Sequence, residues 1–513
     1  MKNNMLYSIS LLASAMLALT ACSNNDEPVI TDRNLSGTTS YFPSSDASKQ
    51  DIYYKPAVGY IGDPMPFFDP VAQDFKILYL QDCRPNPALT YHPIWGVSTK
   101  DGATYTGLGE MIPCGTASEL DAALGTGSTI YDNGTYYTFY TAHSPNPATT
   151  SGINEAVMVA TSKDFVNWEK NREVIVSGGD EYSHADFRDP FVFKGEDNLF
   201  HMLVSTKKSG KGVLAEYTSD NLLDWTSAGV FMTMMWDRFY ECPDLFKMGD
   251  WWYLVYSEQH DAIRRVQYFK GQTLDELKAC TRDDAGRWPD SHEGFLDSRG
   301  FYAGKTASNG TDRYIWGWCA TRTGFSNLGN NDWGGNLVAH KIIQHPDGTL
   351  TLGEVPAIAS LFSTSNTVAD FTLDGMADKL MPRLGEENHI SFTVTTSNSW
   401  DRFGVSFARG SDSETYFSVI VNPESETTRK INFEEEGEGG HGFIGNTDGY
   451  VFAAPADGVY NVNIVTDNSV VTVYINDVAA YTNRIYGTAK NCWSINSYGG
   501  NINVSNVKYS KKN

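Results

Sequence analysis

Asn133-Gly134-Thr135-Tyr136-Tyr137-Thr138-Phe139-Tyr140 is a polar turn followed by an aromatic-rich alternating run, which reads as a hairpin turn leading into a β-strand. The same signature stands upstream at Asp74-Phe75-Lys76-Ile77-Leu78-Tyr79-Leu80 and downstream at Asp197-Asn198-Leu199-Phe200-His201-Met202-Leu203. It returns at Gly249-Asp250-Trp251-Trp252-Tyr253-Leu254-Val255-Tyr256 and at Asp312-Arg313-Tyr314-Ile315-Trp316-Gly317-Trp318. From first residues 74, 133, 197, 249 and 312, the spacings are 59, 64, 52 and 63 residues. A second element keeps step with it. Thr161-Ser162-Lys163-Asp164-Phe165-Val166-Asn167-Trp168 echoes Thr218-Ser219-Asp220-Asn221-Leu222-Leu223-Asp224-Trp225, with Ser98-Thr99-Lys100-Asp101 as a looser copy. Five units of this length, each able to supply four short strands, predict a five-bladed β-propeller. A β-sandwich with chance turn similarity does not explain two elements repeating in phase. Helical periodicity is nearly absent, and the stretch around Thr273–Cys280 is the best candidate for a short helix.

After about Val355 the texture changes: Trp becomes scarce, and runs such as Tyr416–Val421, Tyr460–Val465 and Val470–Ile475 alternate between turns. Asp467-Asn468-Ser469 reads as a hairpin connection. An all-β fold is therefore expected, with the propeller over residues 49–355 followed by a C-terminal β-sandwich over 356–513. The acidic stretch Glu434-Glu435-Glu436-Gly437-Glu438 reads as a solvated loop.

At the other end, Lys2 precedes an apolar run from Met5 to Leu19 that is too short for a spanning helix. It ends Leu19-Thr20-Ala21-Cys22, which resembles a bacterial lipoprotein signal: residues 1–21 would be removed and Cys22 lipidated. Residues 22–48 form a polar tether whose Ser23-Asn24-Asn25-Asp26-Glu27 resembles surface-export signals of Bacteroidetes lipoproteins. The expected location is the outer membrane, at the cell surface or its periplasmic face, through a lipid anchor on Cys22.

Composition narrows the chemistry. The 513 residues hold 39 Lys plus Arg against 62 Asp plus Glu, a formal charge of −23. Nucleic acid as a partner is disfavoured, because binding it needs a positive footprint; an uncharged substrate fits better. The seven Cys contain no C-x-x-C pair, and the ten His no H-E-x-x-H. Neither a metal nor a cofactor is expected.

Three carboxylates stand out. Asp63 lies in Gly62-Asp63-Pro64, Asp189 in Arg188-Asp189-Pro190, and Glu241 in Glu241-Cys242-Pro243-Asp244. Each opens an inner strand just before a repeat signature, and each is followed by Pro at once or one residue later. One acid–Pro pair is ordinary turn chemistry. Three at equivalent places in successive repeats point to a shared site on the propeller axis. Two carboxylates flanking a scissile bond are what glycoside hydrolysis needs.

In this order and spacing, the three segments resemble glycoside hydrolase family 32, the invertase, inulinase and levanase family. Supporting matches are Leu78-Tyr79-Leu80-Gln81, Trp95-Gly96-Val97-Ser98, Gly125-Thr126-Gly127-Ser128, Gly300-Phe301-Tyr302-Ala303, Gly317-Trp318-Cys319 and Trp333-Gly334-Gly335-Asn336-Leu337. The resemblance covers roughly residues 50–355. It implies a retaining hydrolase of β-fructofuranosyl linkages in fructans (levan or inulin) or sucrose-type oligosaccharides. It further implies Asp63 as nucleophile, Glu241 as general acid/base and Asp189 as transition-state stabiliser, with Gln81, Thr126, Gly127, Arg188 and Trp318 contacting the sugar. Blade packing is the plain alternative for Trp318. The usual Asn-Asp-Pro-Asn-Gly segment is altered here, with Gly62 for the first Asn and Met65 for the second. Thr90-Tyr91 stands where the family has a Trp before its Trp-Gly pair. Two other readings remain: an inverting arabinan or xylan hydrolase like family 43, against which Glu241-Cys242-Pro243-Asp244 argues, and a surface glycan-binding lipoprotein with a decayed site.

Overall fold

A computed structural model describes residues 51–57, 59–82, 92–233, 239–258, 264–280, 293–409, 416–436, 442–443 and 449–512. The leader and tether with Cys22, the Thr90-Tyr91 pair, and Gly437 and Glu438 lie outside the described residues.

The chain is nearly all β. Among the described residues, the first twenty strands fall into consecutive antiparallel four-stranded meanders, and the five repeat signatures are their second strands: Asp74–Asp82, Thr135–His143, Phe200–Lys208, Trp251–Glu258 and Arg313–Arg322. Aromatic alternation recurs there because that strand packs against neighbours on both faces; Tyr79, Tyr140, Tyr253 and Trp316 are fully buried. The innermost strands are Tyr60–Asp69, Ala123–Asp132, Phe187–Lys194, Glu241–Met248 and Phe301–Ser308, and each contacts the next, the last returning to the first. The ring closes where Ile61 pairs with Gly335 of Asn331–Gln344, merging the first and last meanders into one sheet. A propeller edge left open would expose unpaired backbone; this pairing covers it.

The second repeated element is a turn held by its own side chains. Asp101, Asp164 and Asn221 each accept two backbone N–H bonds, from Ala103 and Thr104, Val166 and Asn167, and Leu223 and Asp224, all within 2.8–2.9 Å. The next residue is left-handed each time: Gly102 at φ 72°, Phe165 at 62° and Leu222 at 68°. The looser copy at Thr99-Lys100-Asp101 is therefore the same turn, with Gly taking the left-handed place. The short helix is Leu274–Lys278, where Thr273 accepts the Glu276 N–H and Glu276 reaches back to the Gln272 N–H.

After the helix Pro356–Ser360, the chain builds a β-sandwich. Its last strand, Cys492–Lys511, pairs with Phe403–Arg409 through its first half and with Glu387–Thr396 through its second. Gly499 and Gly500, both at φ 107°, lie between the two halves, so one strand serves both layers. Phe392, Val405, Val419, Ile431, Ile464 and Trp493 fill the core. Val459–Asp467 and Val470–Ile475 form the expected hairpin, turning at Asn468 (φ 52°). One expectation fails. Glu434–Glu436 belong to the strand Thr428–Glu436 rather than a loop, and Glu434 is fully buried, accepting the Asn432 side-chain N–H at 2.8 Å. Pairing with Tyr416–Pro423 runs on to Tyr416–Glu436, so strand register outweighs local charge.

Candidate active site

Every innermost strand carries a bulge near its start. Asp63-Pro64 stand opposite one residue, between the pairs Gly62–Leu80 and Met65–Leu78. Asp189-Pro190 do the same between Arg188–Ser205 and Phe191–Leu203, and Cys242-Pro243 between Glu241–Ser257 and Asp244–Val255. The fifth strand repeats it with Ala303-Gly304, and the second inserts Thr126 between Gly125 and Gly127. Asp189, Cys242 and Ala303 are left-handed, with φ 59°, 51° and 54°. A bulge re-aims a side chain, and it accepts Pro because the residue has no ladder N–H to give. The acid–Pro pairs are thus the sequence trace of bulges around the axis.

The bulges also correct the expected equivalence of the three acids. Asp63 and Asp189 occupy the first bulge position, but Glu241 precedes its bulge, in register with Gly62, Arg188 and Tyr302. Cys242 takes the place matching the two aspartates. The extra residue between Glu241 and its Pro is the cause.

All three acids line one cavity of about 320 Å³, together with Thr126 and Arg188. Gln81, Gly127 and Trp318 are not on its wall. Gln81 is buried beside Ile61. Gly127 O accepts from Lys305 Nζ at 2.5 Å, and its N–H points to Met65 Sδ at 3.1 Å. Trp318 is fully buried and donates from its indole to Asp63 Oδ1 at 3.0 Å, so it acts on the carboxylate directly. The wall also includes His92, Thr141, His143, Glu155 and Trp333, which no sequence motif singled out as site residues. Trp333 was visible only as part of a family match.

The partners of each acid differ. Glu241 accepts the Tyr302 hydroxyl at Oε2 (2.6 Å) and Arg188 Nη2 at Oε1 (3.3 Å). Arg188 is held from its other side by Glu155 and Asp186, both at 3.2 Å, and lies 4.1 Å over the Phe239 ring. Asp189 accepts the Cys242 N–H at Oδ2 (2.9 Å), and its own N–H donates to Thr141 Oγ1 (2.9 Å). The left-handed Cys242 backbone thus aims its N–H at the neighbouring blade's acid.

Burial dominates the electrostatics. It pushes Asp63 up to about 6, opposed by the Trp318 hydrogen bond and reinforced by the Glu241 charge. It pushes Asp189 up to about 7, opposed by Arg188 and reinforced by Glu241 and Asp63. Glu155 is the contrast: burial raises it, yet His143, Arg188 and the Phe187 N–H together hold it below the usual carboxylate range. Among the described residues no group of three or more His, Cys, Asp and Glu has metal-binding geometry.

Two acids with raised affinity for protons, a third in contact with an arginine and a phenol, and a cavity of sugar size are equipped for general acid/base and nucleophilic work on a glycosidic bond. The chain is also similar to known proteins. Residues 53–352 match the glycosyl hydrolases family 32 N-terminal domain, and residues 348–509 match the domain described as GH32, BT1760-like, C-terminal. The sucrose-6-phosphate hydrolase of Escherichia coli is 24% identical over 462 residues, 85% of this chain and 88% of that protein. In structure the chain resembles sucrose-6-phosphate hydrolase from Lactobacillus gasseri (TM-score 0.72, 16% identity, 93% of this chain and 96% of that one). It also resembles fructan 1-exohydrolase IIa from Cichorium intybus (TM-score 0.73, 13% identity, 91% and 98%). With the family's N-terminal pattern matched over more than half its length, the chain belongs to glycoside hydrolase family 32 and is a glycosidase.

Proposed function

We propose that the protein is a retaining β-fructofuranosidase acting on uncharged fructans, levan or inulin, or on sucrose-type oligosaccharides. Asp63 attacks the anomeric carbon while Glu241 protonates the leaving oxygen; Glu241 then takes a proton from the water that releases fructose from Asp63. Asp189, held by the Cys242 N–H, receives the fructosyl hydroxyls as positive charge develops on the ring. The observation that carries this reading is the convergence of Asp63, Asp189 and Glu241 on one cavity, each with different partners. A five-bladed propeller is the arrangement that accounts for it, supported by five bulged inner strands in cyclic contact.

An uncharged substrate is favoured by the wall itself. Asp63, Glu155, Asp189 and Glu241 face the cavity, and the one Arg or Lys among its described lining residues, Arg188, is already shared by three carboxylates. A sugar phosphate would meet repulsion. We further place the domain boundary near residue 355 and the mature protein on an outer-membrane lipid anchor at Cys22. The anchor predicts that palmitate labelling is lost in Cys22→Ala; labelling that survives the substitution would overturn it.

The deciding experiment compares three full-length variants on levan, inulin and sucrose. Asp63→Asn and Glu241→Gln should each lose several orders of magnitude in kcat while circular dichroism stays unchanged. A substrate with a good leaving group should partly rescue the first step of Glu241→Gln and leave Asp63→Asn inactive. Asp189→Asn should stay slow whatever the leaving group. An Asp63→Asn enzyme of undiminished rate would overturn the assignment.

A further inference from the structure

A buried side chain of the β-sandwich holds the strand that lies directly behind the active site. Arg484, 1% exposed, ends the sandwich strand Ala479–Arg484 and points into the propeller. Its Nε donates to Ala320 O at 2.8 Å, and Nη2 donates to Cys319 O at 3.0 Å and Asn336 Oδ1 at 2.5 Å; Nη1 returns to Ser469 Oγ at 2.8 Å. Cys319 and Ala320 are the two residues directly after Trp318, whose indole holds Asp63. Asn336 lies on the strand that pairs with this one, at Cys319–Asn336. The propeller answers in kind. Arg322, at the end of the Trp318 strand, donates to Arg484 O and to Asn483 Oδ1.

We propose that Arg484 is a positioning residue: the sandwich uses its guanidinium fork to hold the Trp318 strand so that the indole meets Asp63. A planar fork with several fixed donors suits this task, since three carbonyl-type acceptors on two strands must be held at once and a lysine ammonium cannot match their directions. A second contact acts the same way on the strand that carries Tyr302. A Cβ on Gly300 would lie 2.5 Å from Thr482 O, so the sandwich segment presses directly against the backbone two residues before Tyr302. The sandwich is then part of the catalytic apparatus rather than an appended module.

The inference rests on Asp63 being the nucleophile, and the test keeps the two apart. The charged groups facing Asp63 are Glu241, Asp189, Lys305 and Arg264. None of them is substituted in Arg484→Met or Trp318→Phe, and Phe keeps an aromatic ring under Arg264, which lies 5.2 Å over the Trp318 ring, so a change in the acid limb of kcat/KM reports the lost indole donor. Losing that donor favours protonated Asp63, and the limb should move to higher pH. In full-length enzyme, Arg484→Met is expected to shift the limb in the same direction as Trp318→Phe and to lower kcat by roughly ten- to a hundredfold. The double variant should shift no further than Trp318→Phe alone. Arg484→Lys should fall between wild type and Arg484→Met. A folded Arg484→Met with an unmoved pH profile, or additive shifts in the double variant, would overturn the proposal. Failure of both Arg484 variants to fold would equally overturn it, assigning Arg484 to stability alone. An active Asp63→Asn would instead remove the nucleophile assignment, whatever Arg484 does.

Discussion

As the proposed nucleophile Asp63 has to be ionised, yet burial holds its carboxyl up at about 6. The rate kcat/KM should therefore rise as pH climbs through about 6, the charge on Asp189 adding to the push on Asp63. A flat profile from pH 5 to 7 would contradict this environment. The same burial acts on stability with a definite sign. Asp63 and Asp189 bind protons more tightly folded, at about 6 and about 7, than at their ordinary value of 3.8. The folded state then holds more protons between those values, and stability falls as pH rises through the window. Asp189→Asn should remove that cost, gaining stability at pH 8 and little at pH 4 by urea unfolding, while turnover collapses. Gly62 shows another constraint at this scale. A Cβ there would lie 2.2 Å from Trp333 Cη2, so the indole occupies the space a side chain would need. Gly62→Asn should reduce activity by displacing Trp333, and adding Trp333→Ala should restore folding stability but not full rate; a Gly62→Asn enzyme indistinguishable from wild type would refute the clash. Residue types and their neighbours singled out three acids that the fold brings to one cavity. They did not place Trp318 behind Asp63 or Trp333 over Gly62, because those partners lie 255 and 271 residues away in sequence.

Among the elements, the bulged inner strand does most to shape the site. Cys242 sits in it at φ 51° with its side chain buried and its N–H on Asp189. A β-branched residue is poorly tolerated there. Cys242→Val is expected to destabilise the fold by about 1–3 kcal/mol and to lower kcat through Asp189, whereas Cys242→Gly should keep the backbone and most of the rate. Thermal unfolding and steady-state kinetics on both variants check this; equal behaviour of the two would show that the left-handed backbone is not the constraint. Strand identity was legible from alternation and aromatic content, and the repeated turn from Asp or Asn at a fixed offset. The one-residue offset of Glu241 was not legible, because a bulge counts ladder partners and the sequence shows only distance to the next Pro. Glu434 was misread for a related reason: hydrogen-bond register carried an acidic residue into the core, where Asn432 satisfies one carboxylate oxygen.

Across the whole molecule, the two β units share buried polar and apolar contacts. His340, fully buried in the propeller, meets Asp297 at 3.1 Å and the sandwich's Tyr474 hydroxyl at 2.8 Å. Thr482 of the sandwich donates to both Asp297 oxygens, at 2.6 and 2.7 Å. Ahead of the first blade strand, the Ile52 and Tyr53 N–H groups donate to Asp467 of the sandwich at 3.1 and 3.0 Å. One apolar cluster joins Phe301, Val338 and Leu350 to Val465, Val470 and Tyr474. Cutting the chain at residue 355 would strip Asp297 and His340 of these sandwich partners and open the shared apolar cluster to water. A chain ending there should be insoluble or inactive, and co-expressed sandwich should recover part of the activity; a fully active truncated chain would show the interface to be dispensable. The sequence alone determined the all-β class, the repeat, the change of texture near Val355 and the three acids, because alternation, turn chemistry and acid–Pro pairs act over a few neighbouring residues. Only the tertiary structure decided which side chains face one cavity, how far Asp63 and Asp189 are pushed from their ordinary proton affinity, and that a sandwich arginine braces the propeller's site, because desolvation and hydrogen bonding depend on groups that come together only when the ring closes and the sandwich docks.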